Sequence, residues 1–317
     1  METQVPAFSL TAEPLDQVWY YNRLVKMLNV CDPTMLLYTD KQVREAVDKL
    51  KEFEKLGSKC GISDSDLWHY RKLKDSAVHP DTGELIPRPF RMSGYMPFNG
   101  PICVGLVMAT KTPWILFGQW ANQSHNALVN YYNRNASSPT PTPVLLASYG
   151  GAVSSAMGIA WGLSRVVKNF FAPERALALL RFVALPTSIV ASSVNCIIMR
   201  RPEMDIGIGV FDKEGVEVGK SRLAAKAAIE STVLSRILLQ IPVFVFPPIV
   251  AALPPVARYL RKYPKLSTPV MTGLMFVGFG FGLPASIAAF PVEGTIRESE
   301  VESEFRGRGD LTYNKGL

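Results

Sequence analysis

Residues 145–164 read LLASYGGAVSSAMGIAWGLS, a run without a single charge. About 20 such residues are what an α-helix needs to cross a hydrocarbon core of about 30 Å. Ser154, Gly158 and Gly162 recur every four residues, a small-residue ladder that lets another helix approach closely. Outward from this run, further apolar stretches lie near 98–120, 176–199, 229–253 and 266–290. The first of these is the least apolar, because it holds Lys111 and Pro113. A soluble core does not need so many long apolar runs, and a bilayer does. The expected fold is an all-α integral membrane protein of about five transmembrane helices, preceded by a small helical N-terminal region.

The boundaries follow from composition. Residues 1–97 are charged and mixed, 98–292 form the transmembrane domain, and 293–317 are a polar C-terminal tail. In the N-terminal region the pattern predicts a helix from near Pro14 to about Leu28. A second is expected from Thr39 or Asp40 to Leu56, stopped by Gly57, and a third over Asp64–Lys74 with Ser63 as its cap. HPDTGE at 79–84 spells a tight turn. An odd number of crossings would put the two chain ends on opposite faces. Lys and Arg near the membrane are then almost balanced between the faces, so charge does not orient the chain.

The net charge is +7 and the pI about 9.2, but Lys and Arg are scattered among Asp and Glu. No RNP-like or zinc-finger pattern accompanies them, so nucleic acid is not an expected partner, whereas a lipid bilayer is. Cys31, Cys60, Cys103 and Cys196 form no CxxC pair, and the three histidines are dispersed, so neither a metal nor a cofactor is expected. Before Arg23 there is no Lys or Arg, while Glu2, Glu13 and Asp16 are present. That is neither a secretory signal nor a transit peptide, so targeting is expected to use internal signals. Walker, HExxH and GxSxG patterns are missing, and the chain reads as a non-enzyme.

Polar groups inside a membrane are expensive and mark candidate pathways. Asn122, Asn126 and Asn130 recur at i, i+4 and i+8 beside Gln123, with Asn133 near the same line. On a helix they make one stripe of donors and acceptors, suited to a zwitterion or a hydroxyl. A hydrogen-bonded seam between helices is the other reading of that stripe. Arg181 and Arg236 lie in apolar runs, where a substrate carboxylate would be a natural partner. Glu230 for Arg236, or snorkelling for Arg181, is the alternative. Ser192, Ser193 and Asn195 add polarity to the third run. Pro242, Pro247 and Pro248 interrupt the fourth, and Gly273, Gly278, Gly280, Gly282 and Pro284 the fifth. Interrupted helices free backbone groups that carriers use as ligands, though ordinary kinks look the same in sequence.

Several stretches carry a resemblance. They are LWHYRKLKDSAVHPDTGE (67–84), FRMSGYMPFNGPI (90–102), QWANQSHNALVNYYNRNA (119–136), VNCIIMRRPEMDIGIGVFDKEGVEVGKSRLAAKAAI (194–229) and SRILLQIPVFVFPPIV (235–250). In this order the sequence resembles the sideroflexins. The resemblance implies a multi-pass protein of the mitochondrial inner membrane that transports a small neutral amino acid, serine first, for one-carbon metabolism. The family also has a divergent member tied to assembly of a respiratory complex, so a role with inner-membrane complex partners is the alternative. Family motif positions fall on Asn122, Gln123, Asn126, Asn130, Asn133, Arg134, Asn135, Asn195, Arg200, Ser235 and Arg236. Two places depart from the pattern. Tyr21–Leu28 keeps only Arg23 of an early element, and Ala285 and Val292 replace a cysteine and a glutamine near the end of the fifth run. If those positions touch substrate, selectivity differs from that of the serine carriers.

Overall fold

The computed structural model describes residues 6–10, 12, 14–79, 82–133, 141–291 and 293–315. Its N-terminal layer is three helices, α1 (Tyr20–Val30), α2 (Asp40–Leu56) and α3 (Asp64–Ala77). Helix α2 begins in a reciprocal capping box between Thr39 and Gln42 and stops at Gly57, whose φ of 57° suits a residue without Cβ. It lays Val43 and Ala46 against Leu73 and Ala77 of α3. Helix α1 starts six residues later than the sequence suggests. Asp16 Oδ1 accepts from the Val18 amide at 3.0 Å, holding that stretch in a local turn instead. In the 79–84 turn the His79 amide donates to Glu84 O and the Gly83 amide to His79 O, at 2.9 and 3.0 Å. Pro80 and Asp81 of that turn lie outside the described residues.

The fold class is the expected one, with a change at its first membrane segment. The helix foreseen over 98–120 is two helices, α4 (Gly100–Met108) and α5 (Thr112–Tyr132), separated at 109–111. Ala109 is extended, and Pro113 sits in the first turn of α5, where its missing N–H costs nothing. The chain then folds back on itself. Gly118 packs against Leu106, Cys103 meets Asn122, Tyr95 meets Asn126, and the Phe90 and Tyr132 rings stack at 5.0 Å. The hairpin therefore returns to the face from which it entered.

Four segments of the described residues are long and apolar enough to cross a membrane: 142–170, 173–206, 222–252 and 264–288. The first is α6 (Thr142–Phe170). The second combines α7 (Pro173–Leu180) and α8 (Ala184–Ile206). The third combines α9 (Arg222–Phe244) and α10 (Phe246–Ala252). After the short α11 (Pro254–Lys262), the fourth holds α12 (Ser267–Val277), a π-turn over Gly278–Gly282 and α13 (Leu283–Ala288). Four crossings plus a returning hairpin bring both ends of the described chain to one face. The expectation of opposite faces fails because one predicted crossing is the hairpin. Contacts agree with this topology. On α1, Tyr20 donates to Ala285 O at 3.2 Å and Arg23 Nε to Ala288 O at 2.8 Å. We call this the terminal face, and the one carrying 109–111, the α6–α7 turn and α11 the distal face.

The small-residue ladder is also displaced from where the sequence puts it. Gly158 is exposed and no atom lies within 4 Å of where its Cβ would be. The buried line is Ser148, Ala152, Ala156, Ala160 and Ser164, which lets α8 approach through Ala191. Both lines have helical spacing, but they are offset by two residues, about 200° round the helix, and so lie on opposite faces. Spacing alone cannot say which of the two faces is covered.

The polar loop after α8 and the C-terminal tail build a sheet that the sequence does not announce. Strands β1 (Ile208–Phe211), β2 (Glu217–Ser221), β3 (Glu293–Ile296) and β4 (Leu311–Asn314) run antiparallel in the order β2-β1-β4-β3. Val210, Leu311, Tyr313 and Phe305 pack on Ala224 and Ala228 of α9. Glu302 ties the tail to the start of that helix. Its carboxylate accepts from the Arg222 and Leu223 amides at 2.7 and 3.0 Å and from the Ser221 hydroxyl at 2.7 Å. Burial raises the pKa of Glu302, but these hydrogen bonds outweigh it and hold the group below its usual value of 4.5. The stabilisation is thus present above pH 4.5 and lost as pH falls through the lower folded value. We expect Glu302→Gln to cost about 1 kcal/mol at pH 7, typical of a lost helix cap. The melting difference between native protein and variant should shrink towards zero as the pH is lowered below 4.5.

Candidate functional site

A cavity of about 370 Å³ opens between the membrane segments. Helix α5 supplies the asparagine stripe, since residues four apart share a helix face. The π-turns at Tyr95–Asn99 and Gly278–Gly282 widen the two helices that carry them and present Tyr95, Asn99 and Phe279. The break at Val245 separates α9 from α10, and Gly278 fits against the carbonyl oxygen of Pro242 just before it. The interrupted fourth and fifth runs of the sequence therefore meet at their interruptions, beside the cavity.

Of the residues singled out from sequence, Asn122, Gln123, Asn126, Asn130, Asn195 and Arg236 all line the cavity, joined by Ser192. Arg181 does not. It lies half-buried at the break between α7 and α8, beyond the lining. Asn133 is spent on structure, donating to Phe90 O and Val129 O at 2.8 Å each. Arg134 and Asn135 fall outside the described residues, as does Val292. Ser193 and Ala285 are absent from the lining.

The polar atoms of the cavity divide into satisfied and unsatisfied. Tyr95 donates to Asn126 Oδ1 at 2.8 Å, and the Cys103 thiol points at Asn122 Oδ1 at 3.9 Å. Ser235 donates to Thr232 O at 2.7 Å. By contrast, Arg236 Nε and Asn99 Oδ1 are buried without a hydrogen-bond partner. Glu230, the carboxylate closest in sequence, is exposed and faces Lys226 at 4.0 Å, so it does not neutralise Arg236. Among the described residues Arg236 is the one charged side chain of the lining, which holds no carboxylate. An unmatched donor with a positive charge and an unmatched amide acceptor share one cavity. Buried polar groups left in this state normally await a partner.

Sequence reasoning missed Tyr95, Asn99, Thr232 and Gln240 as lining residues. Gln240 is an amide in an apolar run and was visible by the logic applied to Asn195. Asn99 and Tyr95 gave no such signal, because the π-turn that aims them is a tertiary outcome. At the terminal face Met27 of α1 and Phe290 reach the mouth. Arg200 Nη1 donates there to Thr232 Oγ1 at 2.7 Å and to Lys315 O at 2.6 Å, while its other nitrogens bind Glu203. The chain's own C-terminal segment thus closes one wall of the entrance. The Tyr95–Asn126 bond makes a test of this geometry. Single changes Tyr95→Phe and Asn126→Ala should show a coupling of about 1 kcal/mol in a double-mutant stability cycle, the net worth of one hydrogen bond.

The family model for sideroflexins matches residues 9–317. The chain belongs to the sideroflexin family. Sideroflexin-5 of Homo sapiens is 39% identical over 321 residues, covering 99% of this chain and 94% of that protein. A sideroflexin of Dictyostelium discoideum is 35% identical, and Sideroflexin-1 of Bos taurus 32%, each covering 98% of both chains. No solved structure matches. The sideroflexin architecture therefore rests here on the hairpin, the four crossings and the sheet described above. The cavity lies among segments within the family match.

Proposed function

We propose that this sideroflexin is a secondary or facilitative carrier of a small neutral amino acid, serine first among them, in the mitochondrial inner membrane. The observation that carries the reading is the unpartnered pair in the cavity, Arg236 Nε and Asn99 Oδ1. A zwitterion satisfies both, its carboxylate taking the guanidinium and its ammonium the amide oxygen. The stripe Asn122, Asn126 and Asn130 with Gln123 leaves further donors and acceptors for a side-chain hydroxyl. Asn195 of α8 lines the same cavity. A single cation suits one carboxylate rather than a polyacid. The cavity volume falls in the lower part of the range of about 300–1,000 Å³ usual for small-molecule sites. Family membership supports the membrane and transport parts of the reading.

The test is uptake of labelled serine into liposomes holding the purified protein, with alanine, cysteine, glycine and citrate as competitors. Saturable uptake, blocked by the neutral amino acids and spared by citrate, is the expected result. Folded and inserted protein that moves none of them would transfer the reading to assembly of an inner-membrane complex.

A further inference from the structure

We infer that the distal face is a docking surface for the headgroups of anionic phospholipids, centred on α11 and the turn after it. Helix α11 links the third and fourth crossings, and Leu260 turns inward onto the core that contains Val107 and Met271. The other side of the helix is exposed and carries Arg258, Arg261 and Lys262, followed by Lys265. Tyr259 and Tyr263 are 50% and 44% exposed with rings 5.1 Å apart, and Lys262 Nζ sits 5.3 Å from the Tyr263 ring. Cations beside half-exposed tyrosines, above an apolar underside, are the composition of a helix lying at a bilayer boundary.

The charge of this face is met by few acids. The sequence contains no Asp or Glu between Glu230 and Glu293, and between Asp81 and Glu203 it contains Glu84 and Glu174 alone. Glu84 precedes the hairpin on the terminal side, which leaves Glu174 as the acid of the distal face. Among the described residues no ion pair engages Arg258, Arg261, Lys262 or Lys265. Arg258 Nε turns to Pro254 O at 3.2 Å. Lys111 and Lys168 extend the same charge to the hairpin tip, where Lys168 donates to Thr112 Oγ1 at 2.9 Å. The terminal face differs, since Arg200 there is paired with Glu203. Unneutralised cations at the height of the headgroups attract anionic lipid, and each contributes about a fivefold preference. The depth of α11 favours lipid over a protein or nucleic-acid partner, because its apolar side continues the membrane core.

The inference needs only the membrane architecture and does not depend on what the cavity carries. It is tested with full-length protein in mixed micelles of equal phosphatidylglycerol and phosphatidylcholine, measuring the ratio of lipids retained after purification by mass spectrometry. Native protein should be enriched in phosphatidylglycerol, and the enrichment should weaken as salt rises. The variant Arg258→Gln, Arg261→Gln, Lys262→Gln should lose at least about fivefold of that enrichment. A control on the terminal face, Arg297→Gln, Arg306→Gln, Arg308→Gln, should keep it. No enrichment in native protein, as a protein partner for this face would predict, overturns the inference. So does enrichment that survives the distal variant, or that falls equally in the control. Should the triple variant fail to fold, Lys262→Gln alone is read in the same way.

Discussion

Arg236→Gln should reduce saturable amino-acid uptake by about tenfold to about 150-fold. Hydrogen bonds to charged groups are worth about 1.5–3 kcal/mol, and each 1.4 kcal/mol is a factor of ten. Glutamine keeps much of the length and polarity but removes the charge that would meet a carboxylate. Arg236→Lys should recover part of the loss, because a point charge remains without the planar fork. Folding should not fall with transport. Arg236 Nε has no protein partner, and what the substitution removes within the protein is the contact of the guanidinium with the Cys196 thiol, a weak hydrogen bond. The pair of measurements, uptake kinetics and thermal unfolding in detergent, separates a ligand-binding guanidinium from a structural one. Unchanged KM and maximal rate in the glutamine variant would remove Arg236 from the site.

The second large effect concerns the meeting of the two interrupted helices. A Cβ on Gly278 would collide with the carbonyl oxygen of Pro242, and one on Gly282 with the Pro242 ring. Neither obstacle is a flexible side chain that can swing away. Gly278→Ala should destabilise the protein by about 3 kcal/mol, the upper end of the usual cost of overpacking. Gly273→Ala on the same helix is the control. Nothing lies within 4 Å of its Cβ position, so its melting temperature should stay close to native. Equal melting of both variants would mean that the π-turn does not seat on the proline kink. Transport by Gly278→Ala should fall as well, because Phe279 and Val243 beside that contact line the cavity.

How far the sequence led can be judged residue by residue. The N-terminal caps at Thr39 and Ser63 were legible because capping is local chemistry. The uncharged 145–164 run announced α6 for the same reason. The asparagine stripe was legible as a face, and the structure turns that face into a cavity. The hairpin at 109–111 was not legible. Its arms are apolar enough to read as one crossing, and the fold-back depends on Gly118 admitting Leu106, a contact across the turn. Arg181 and Arg236 looked alike in sequence, each an arginine in an apolar run. Only packing separates them, placing one at a helix break and the other beside the amide-lined cavity. The sheet was hidden because its strands are four or five residues long and its inner pair, β1 and β4, joins residues about a hundred positions apart.

That last pairing has a consequence for how the protein is made. The β1–β2 hairpin forms from neighbouring residues, but one edge of β1 stays bare until β4 arrives. Between them lie the third and fourth crossings, so β4 can reach β1 only if the chain has come back to the same compartment. A missed or extra crossing would strand residues 293–315 across the bilayer. It would leave β1 open to other strands and the start of α9 without the Glu302 cap. A closed sheet therefore requires an even number of crossings between its two halves.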